Sequence, residues 1–312
     1  MFRICSIGEG LGDCFLIEVG NEHEVIRILV DGRDGGQISE IESMLFPVGE
    51  KSTEINILIV THIDQDHING AIELMRRNPE KFKSTIIIYN YVTKEVISYS
   101  LAEKFENIIK DHVVYSTGRK LYPEILQGKM RLLSMHKRTN FYEQIDEMQK
   151  EIPVITFLSP DKNGIDSVYE EYKMKRPQNK SGSSIKINKN SIVFLLEYED
   201  KCVLFTGDAY LKNIDRILAE SKVMNEKKFD IVKMPHHGAK RNNKGIAEFA
   251  KKHKCIRFIV TGECDWQGKK HPDEEILNDI KKKIENCIIY TKVNIQYEVI
   301  DDNIKKDEDI MV

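Results

Sequence analysis

The sequence predicts an α/β fold built from two similar halves. In both halves, short apolar and β-branched runs come first, and units of a strand followed by a helix come after them. Apolar residues make up 41% of the 312 residues and charged residues 31%, which is typical of a globular chain and excludes a disordered or collagen-like one. A chain of this length can bury a large core. We therefore expect one domain over residues 1–312, with two α/β halves packed face to face.

The first half begins with three predicted strands, at 2–7, 14–19 and 25–30. Glycine-containing and acidic turns separate these strands, which favours an antiparallel meander. The other predicted elements of this half are helices over 38–46, 70–77 and 94–112 and strands over 55–60 and 84–89.

Residues from about 114 to 180 are less regular, and we expect them to be an elaboration of the main fold, because their apolar content is thin for an independent core. The segment 173–190, which overlaps its end, carries six basic residues and no acidic one. Regular patterning then returns. The predicted elements are a hairpin of 191–198 and 202–206, helices over 211–221, 246–252 and 273–285, strands over 231–234 and 257–261, and a final hairpin of 288–292 and 295–300.

Several features of the composition predict a cytoplasmic protein. No run approaches the ~18 consecutive apolar residues of a membrane-spanning helix, so we expect no membrane association. The first residues lack the basic and then apolar pattern of a signal peptide. The six cysteines are scattered and form no CxxC pair, which predicts reduced, mostly buried thiols. The net charge of −3 averages over strong local differences and excludes no class of partner.

The strongest functional signal is THIDQDHING, which directly follows the apolar strand INILIV. Its His62, Asp64, Asp66 and His67 are four metal-binding side chains in six residues, at the point where a strand ends and a helix begins. Ligands of open α/β sheets bind beyond such strand ends. One aspartate could cap the helix, but capping does not account for the whole set. The last residue of the motif, Gly70, allows a tight turn or close packing.

Two later segments repeat this architecture of an apolar strand that ends in a metal-binding side chain. Asp208 follows the strand in VLFTGDAY, and His236 and His237 follow the strand in IVKMPHHGAK. A carboxylate can bridge two cations through its two oxygens, and a histidine supplies a neutral nitrogen. Asp208 alone is equally compatible with a turn. Together with the THIDQDHING residues, these side chains predict a dinuclear metal site.

The sequence resembles the metallo-β-lactamase superfamily, and within it the branch that contains the hydrolase domain of the competence protein ComEC and its stand-alone relatives. The segments that carry the resemblance occur in the family's order and cover almost the whole chain. They are GEGLGDCFLI, ILVDGRDGG, THIDQDHING, NSIVFLLE, VLFTGDAY, VKMPHHGAK and GKKHPDEEIL. The resemblance implies an α/β fold of the four-layer αββα sandwich type, with a metal centre at the edge between its two sheets.

The resemblance also implies roles for individual residues. The ligand set for two metal ions is His62 and Asp64 for one ion, Asp66, His67 and one histidine of the His236–His237 pair for the other, and Asp208 as the bridge. The family's pattern does not say which histidine of the pair binds. Asp66 is also predicted to be catalytic. Asp31 would support the metal-binding loop without binding the metal itself, although an aspartate before a glycine also suits a turn.

Two departures from the family's pattern bear on the metal. Asp64 stands where many members have histidine, and a carboxylate shifts the preference from zinc toward manganese or magnesium. Many members also carry a histidine before the strand that leads to Asp208, where this chain reads KINKNSIVF. Water, Asn188 or Asn190 would then complete the first ion's ligands. The predicted cofactors are therefore two divalent metal ions, zinc or manganese, with magnesium as a further candidate.

Basic residues near these motifs favour an anionic, phosphate-containing substrate. Lys240 and Arg241 follow the histidine pair, and Lys270 precedes His271 in GKKHPDEEIL, so we expect these cations to bind substrate. The resemblance implies that a late histidine next to proline, which is His271 in this chain, faces the scissile phosphate and gives a proton to the leaving oxygen. His271 suits the entry to a helix before Pro272 almost equally well.

These residues predict a metal-dependent phosphodiesterase that uses a metal-activated hydroxide, either a nuclease or a hydrolase of cyclic or small nucleotides. The rings of Tyr210 and Trp266 suit stacking on a base and packing in the fold equally well. The alternatives are a hydrolase of non-phosphate esters with the same fold and a sensor or partner subunit that binds metal without catalysis. A role in bacterial antiviral defence follows only by family association. The sequence leaves open whether a partner protein or a homo-oligomer is involved.

Overall fold

The structure is a computed structural model of the chain, and it describes residues 1–8, 12–20, 25–49, 53–90, 100–117, 130–134, 152–175, 184–262, 264–266, 269–291 and 294–297. The strands are β1 (Phe2–Ser6), β2 (Phe15–Gly20), β3 (Val25–Val30), β4 (Ile57–Ile59), β5 (Ile86–Ile88), β6 (Val113–Tyr115), β7 (Arg131–Ser134), β8 (Val154–Ser159), β9 (Val193–Tyr198), β10 (Lys201–Phe205), β11 (Ile231–Lys233), β12 (Arg257–Ile259), β13 (Cys264–Trp266), β14 (Lys269–His271), β15 (Ile288–Tyr290) and β16 (Asn294–Tyr297).

The helices alternate with these strands along the chain. They are α1 (Ile38–Leu45), α2 (Gln65–Arg77), α3 (Pro79–Phe82), α4 (Ser100–Ile108), α5 (Lys162–Lys175), α6 (Ser184–Lys189), α7 (Leu211–Leu218), α8 (Lys222–Asn225), α9 (Lys240–Asn243), α10 (Ile246–Lys252) and α11 (Glu274–Lys283), with 3-10 turns at Ile109–Asp111 and Pro235–Gly238. In the described part of the chain, none of the helices has both the length and the apolar character needed to cross a membrane.

The chain divides into two compact units, and each contains one seven-stranded sheet. The first unit comprises Met1–Ser116, Lys162–Ile187 and Lys292–Ile310. The second unit comprises Thr117–Asp161, Asn188–Thr291 and Met311–Val312. The expectation of a single domain over the whole chain stays a prediction.

The sheet of the first unit has the strand order β16-β1-β2-β3-β4-β5-β6. Strands β16 to β3 pair antiparallel, which confirms the predicted meander of the first three strands, and β3 to β6 pair parallel. Alternate side chains of the sheet pack against α1, α2 and α4 in one apolar core, which includes Leu29, Leu58, Ile72 and Phe105. This burial fixes the sheet register, because a shift of one residue would turn these side chains to the opposite face.

Helix α2 begins earlier than the sequence predicted, at Gln65 rather than at residue 70. Buried positions recur with helical spacing from His67 onward, so the helical pattern extends through the metal-binding motif. Asp66 lies in the first turn, where its carboxylate suits the positive end of the helix dipole. As a result, both Asp66 and His67 are held by regular helix rather than by a loop.

The sheet of the second unit has the strand order β15-β12-β11-β10-β9-β8-β7. Strands β10, β11, β12 and β15 pair parallel, and β9 pairs antiparallel with both β8 and β10, which confirms the predicted hairpin of β9 and β10. Leu204, Val232 and Phe258 pack with Ile214 of α7 and Ile280 of α11 in the apolar core of this unit.

The predicted final hairpin is wrong, because its two strands belong to different sheets. Strand β15 pairs parallel with β12, whereas β16 pairs antiparallel with β1. Each strand lies at the edge of a sheet and pairs with a strand that is distant in the sequence. A local sequence pattern cannot reveal such a partner. In the irregular stretch 114–180, β7 and β8 join the second sheet, and all of β8 is buried. Residues 94–99 of the predicted helix 94–112, and residues 176–183 of the basic segment 173–190, lie outside the described residues.

The cysteines behave as small apolar residues. Cys5, Cys14, Cys202 and Cys255 are buried free thiols, and Cys287 is a half-buried one, as predicted. Burial raises the pKa of Cys255 to about 12 and raises the pKa of Cys14 and Cys202 as well, so these thiols stay protonated at neutral pH.

In each unit, functional side chains follow the carboxyl ends of parallel strands. Asp31 follows β3, and Thr61 and His62 follow its parallel neighbour β4. In the second unit, Asp208 follows β10 and His236 follows the parallel neighbour β11. Carboxyl ends of parallel strands share one sheet edge, which is where α/β folds bind ligands.

Candidate metal centre

The first group of predicted ligands is His62, Asp64, Asp66 and His67, which we call the 61–67 cluster. Its two histidine rings lie 4.0 Å apart, centroid to centroid. The Nε2 atom of His62 is 3.9 Å from Oδ2 of Asp64, and Nε2 of His67 is 3.8 Å from Oδ2 of Asp66. Each Nε2 therefore faces a carboxylate, in the same pairs that the family resemblance implies for the two metal ions.

Asp31 anchors this cluster from the neighbouring strand end. Its side chain is fully buried, and its oxygens accept hydrogen bonds from the Thr61 backbone N–H at 2.7 Å and the Thr61 hydroxyl at 2.6 Å. Its Oδ2 atom also lies 2.8 Å from Nδ1 of His67. Asp31 therefore holds both the loop and one histidine, and its support of a bound metal stays a prediction.

Burial raises the pKa of the Asp31 carboxyl, and the contacts with His67 and Thr61 oppose that rise. The ionised carboxylate accepts hydrogen bonds only, so His67 must donate to it from Nδ1–H. The Thr61 hydroxyl donates its hydrogen to Asp31. Its oxygen lies 3.0 Å from Nδ1 of His62 and can accept a hydrogen bond from that nitrogen. Both rings consequently carry their lone pair on Nε2, the nitrogen that faces a carboxylate.

A close backbone approach holds α2 against the turn that contains Asp31. A Cβ atom added to Gly70 would lie 1.6 Å from the carbonyl oxygen of Gly32, and one added to Gly32 would lie 2.1 Å from the backbone nitrogen of Ala71. The Gly32 N–H donates to the His67 carbonyl at 2.7 Å. The close packing that the sequence suggested for Gly70 is therefore present, and it fixes the position of His67 relative to Asp31.

Asp13 faces the same ring nitrogen of His67 as Asp31 does, at a greater distance. Its Oδ2 atom is 3.9 Å from Nδ1 of His67, and Asp13, Asp31 and His67 each place a metal-binding atom within 4.8 Å of the others. Because Asp31 and His67 are already at hydrogen-bonding distance, we interpret this buried trio as support for the 61–67 cluster rather than as a separate site.

The second group of predicted ligands is Asp208, His236 and His237, which we call the Asp208 cluster. Asp208 is buried, and its Oδ2 atom lies 3.7 Å from Nε2 of His236 and 4.0 Å from Nε2 of His237. Both histidines have left-handed backbone angles, with φ of 45° and 51°. Consecutive non-glycine residues in this region are strained, and such strain is typical of functional sites.

The two histidines differ in what their Nδ1 atoms meet. The Asn188 side-chain amide donates to Nδ1 of His236 at 3.0 Å, which places the hydrogen of a neutral ring on Nε2. Nδ1 of His237 is 3.0 Å from the Thr261 hydroxyl, which can accept its hydrogen and leave the lone pair on Nε2. His237 is also 2% exposed, against 31% for the His236 side chain. This geometry favours His237 as the metal-binding histidine.

Lys233 is a buried cation beside Asp208. Its Nζ atom donates to the Gly207 carbonyl at 3.0 Å and lies 3.8 Å from Oδ1 of Asp208, and the residue is 1% exposed. Two oppositely charged groups at this depth hold each other in place, because neither is well solvated. Lys233 therefore orients the carboxylate of Asp208 through Oδ1, whereas both histidines lie near Oδ2.

His271 lies next to His236, and its role toward a phosphate stays a prediction. Its ring centroid is 5.8 Å from that of His236, and its Nδ1 atom is 3.5 Å from Oδ2 of Asp273. A Cβ atom added to Gly238 would lie 2.7 Å from Cβ of Pro272, so the residue after His271 packs closely on the histidine turn. The role of a helix-entry residue does not explain this placement, since α11 begins only at Glu274.

The predicted substrate-binding residues are placed differently from one another. The ammonium of Lys240 pairs with Glu275, and both side chains are exposed, so this pair contributes little to stability. The guanidinium of Arg241 lies 5.6 Å from the ring centroid of Tyr210. The side chains of Lys270 and Trp266 lie outside the described residues. Substrate binding by Lys240, Arg241 and Lys270 stays a prediction.

Sequence reasoning missed three residues that shape these clusters. Thr61 and Thr261 each follow a strand after one intervening residue, and a hydroxyl at such a strand end was the available signal. Lys233 interrupts the apolar run IVKM, and a charge inside a buried strand indicates a paired or functional group.

No protein-family model and no curated protein sequence matches the chain. Among solved structures, it is similar to Igni18, a metallo hydrolase from the hyperthermophilic archaeon Ignicoccus hospitalis, with a TM-score of 0.50 and 11% identity over 95% of this chain and 99% of that one. It is also similar to a metal-dependent hydrolase of the β-lactamase superfamily, with a TM-score of 0.51 and 10% identity over 95% of this chain and 99% of that one.

The chain has the metallo-β-lactamase fold. The α/β class and the likeness to metallo-β-lactamase-type hydrolases are thus confirmed. At 10% and 11% identity the likeness shows the fold alone, so the activity must be argued from the residues of this chain. The resemblance to the ComEC branch of the metallo-β-lactamase fold stays a prediction.

Proposed function

We propose that the protein is a metal-dependent phosphodiesterase, acting as a nuclease or on nucleotides. The observation that carries this proposal is the hydrogen-bond network of Asp31 and Thr61. It orients the Nε2 atoms of both His62 and His67 toward a carboxylate each. Side chains held in this way behind metal ligands are typical of metal sites and have no evident purpose in a purely structural histidine pair.

The donor set fits divalent metal ions. The 61–67 cluster offers two imidazoles and two carboxylates, and the Asp208 cluster offers one carboxylate and two imidazoles. This mixture of nitrogen and oxygen donors suits zinc or manganese, and its carboxylates also admit magnesium. Such ions, when bound, supply a hydroxide nucleophile at neutral pH and neutralise charge on a phosphate.

Groups beside the Asp208 cluster favour a phosphodiester over a neutral ester. Lys233 is a buried cation, and a substrate with negative charge gains more from it than a neutral one. His271 has its Nδ1 atom on the side of Asp273, so its Nε2–H is the atom that would give a proton to the leaving oxygen. Asp273 would keep the ring in that orientation.

The test is hydrolysis of bis-p-nitrophenyl phosphate by protein stripped of metal and then supplied with manganese, zinc or magnesium separately. We expect turnover that depends on the metal and falls by about 10²-fold or more in Asp208→Ala. Asp200→Ala is the matched control, because Asp200 is an exposed aspartate in the turn between β9 and β10. It should keep wild-type activity.

The other outcomes separate the alternatives. No turnover with any metal, although elemental analysis finds metal bound, would contradict the proposal. Hydrolysis of p-nitrophenyl acetate but not of the phosphodiester would support the hydrolase of non-phosphate esters. A biological activity that survives Asp66→Ala would support a sensor or partner subunit. A role in bacterial antiviral defence rests on the family resemblance, and phage challenge of cells that carry wild type or Asp66→Ala would test it.

A further inference from the structure

A groove of about 610 Å³ opens on the second unit, between the start of α7 and the segment from α9 to α10. Its lining includes Asn242, whose buried side chain donates to the Asp208 carbonyl at 2.8 Å. It also includes Tyr210, two residues after Asp208. The groove therefore lies beside the segment that follows Asp208, and Asn242 links its lining to the Asp208 backbone.

The charges along this groove are unbalanced. Its two carboxylates are already paired, Asp215 with Lys252 at 2.6 Å and Glu248 with Lys283 at 2.7 Å. The three remaining cations are Lys212, Arg241 and Lys244, which are exposed. Within the described residues, no carboxylate lies within ion-pair distance of any of the three. Three exposed cations that line one groove without counter-charges favour a ligand with several negative charges.

An aromatic ring lies among these cations. Tyr210 occupies the position before the first residue of α7, and its ring is half-buried. The Arg241 guanidinium lies over the Tyr210 ring, 5.6 Å from its centroid, so ring and cation form one positively charged patch. Cations that follow a phosphate backbone, combined with a ring that can stack on a base, are the pattern of proteins that bind single-stranded nucleic acid.

We propose that this groove, lined by Tyr210, Lys212, Arg241 and Lys244, binds single-stranded nucleic acid. The cations contact successive phosphates, and the Tyr210–Arg241 patch stacks on an unpaired base. A duplex keeps its bases stacked on one another and would leave that patch unused. This inference deepens the proposed phosphodiesterase function by naming single-stranded nucleic acid as the substrate class. Cleavage of the bound strand rests on that proposed function. Binding to the groove itself needs no catalysis.

The test is binding of a fluorescent single-stranded oligonucleotide of about ten nucleotides, a length within the usual site size. Fluorescence anisotropy is measured on the full chain in a chelator, so that no cleavage occurs. The variant carries Lys212→Ala, Arg241→Ala and Lys244→Ala. We expect its Kd to rise about tenfold or more. The slope of log affinity against log salt should fall in magnitude by about 2, since each lost phosphate contact removes about 0.7.

The matched control removes the same charge elsewhere on the second unit, with Lys222→Ala, Lys228→Ala and Lys282→Ala. These lysines are exposed and do not line the groove. Its Kd should stay within about twofold of wild type. Tyr210→Ala should raise the Kd about tenfold, whereas Tyr210→Phe keeps the ring and should bind like wild type. Thermal unfolding of each variant shows that the fold is retained.

Three results would overturn the inference: an unchanged Kd in the groove variant, an equal loss in the control, or tighter binding of a duplex than of a single strand. The two proposals fail separately. Groove-dependent binding without any metal-dependent phosphodiester hydrolysis would support the groove and contradict the proposed function. Hydrolysis of bis-p-nitrophenyl phosphate without groove-dependent binding would support the function and contradict the groove.

Discussion

A single buried carboxylate organises the 61–67 cluster. Asp31 has no direct place among the predicted ligands, yet it receives the Thr61 N–H, the Thr61 hydroxyl and Nδ1 of His67. Through Thr61 it also sets the orientation of His62. One residue thus decides which nitrogen each of two rings presents. Its effect on metal binding should be large for a residue that need not touch the metal.

We expect Asp31→Asn to weaken metal binding by about 10- to 100-fold. The amide has one acceptor oxygen in place of two, and its NH2 group would face the donors of Thr61 or His67. Competition with a chromogenic chelator measures the affinity. Asp200→Asn is the same change on the surface and should bind metal like wild type. An affinity of Asp31→Asn within about twofold of wild type would contradict the supporting role.

The histidine pair gives a second prediction at this scale. His237→Ala should lower the metal-to-protein ratio and the turnover more than His236→Ala does, because Thr261 leaves the lone pair of His237 on Nε2 whereas Asn188 places a hydrogen there in His236. Elemental analysis after gel filtration measures the ratio. The two variants serve as each other's control. Greater metal loss in His236→Ala would reverse the assignment.

At the scale of elements, sequence patterns located features whose partners are local. The β9–β10 hairpin joins adjacent segments, and the strand that leads into THIDQDHING is followed directly by a helix, as its pattern predicts. The candidate ligands could be proposed from sequence because histidine and aspartate clustered at strand ends are typical of metal sites. Thr61 and Lys233 were not, since a hydroxyl or an ammonium has many roles until its neighbours are known. The pairing of β15 and β16 failed for the same reason, because their partners lie in distant sequence.

The contact between Gly32 and Gly70 makes a testable element-level prediction. Gly70→Ala should lower the free energy of unfolding by about 3 kcal/mol or more, because a methyl group would overlap the Gly32 carbonyl oxygen and push α2 away. Urea unfolding followed by circular dichroism measures this change. Gly36→Ala is the control, since only the Asp34 side chain lies near its Cβ position. A loss below about 1 kcal/mol would show that α2 moves freely.

The end of α10 gives a prediction about pH. Burial lowers the pKa of His253, whose ring lies 4.5 Å from the Phe229 ring and 4.5 Å from the Phe249 ring, and the hydrogen bond to the Lys227 carbonyl opposes this shift. The unfolded chain therefore binds the proton more tightly. The stabilising contribution is complete above the unfolded pKa of about 6.5 and is lost as the pH falls toward the folded value.

We therefore expect the free energy of unfolding to fall between about pH 7.5 and pH 5.5, and to fall less steeply in His253→Asn. The asparagine amide can still donate to the Lys227 carbonyl but does not titrate. Urea unfolding at several pH values measures both slopes. The same slope in wild type and variant would show that His253 does not carry this pH dependence.

At the scale of the whole molecule, bound metal should stabilise the native state. A metal ion at about 100 times its Kd adds about 2.7 kcal/mol if the unfolded chain does not bind it. For a chain of this size we expect the Tm to rise by about 5 °C or more on addition of manganese or zinc. Differential scanning fluorimetry measures the rise. It should be much smaller in Asp208→Ala and unchanged in Asp200→Ala, and an equal rise in all three would indicate binding elsewhere.

The pairing of β1 with β16 has a consequence for how the protein is made. A ribosome delivers β1 long before β16, the strand at residues 294–297 that covers the outer edge of β1. Until β16 emerges, that edge presents unpaired backbone groups to other nascent chains. For this protein, the order of translation runs against the order in which its first sheet can be completed.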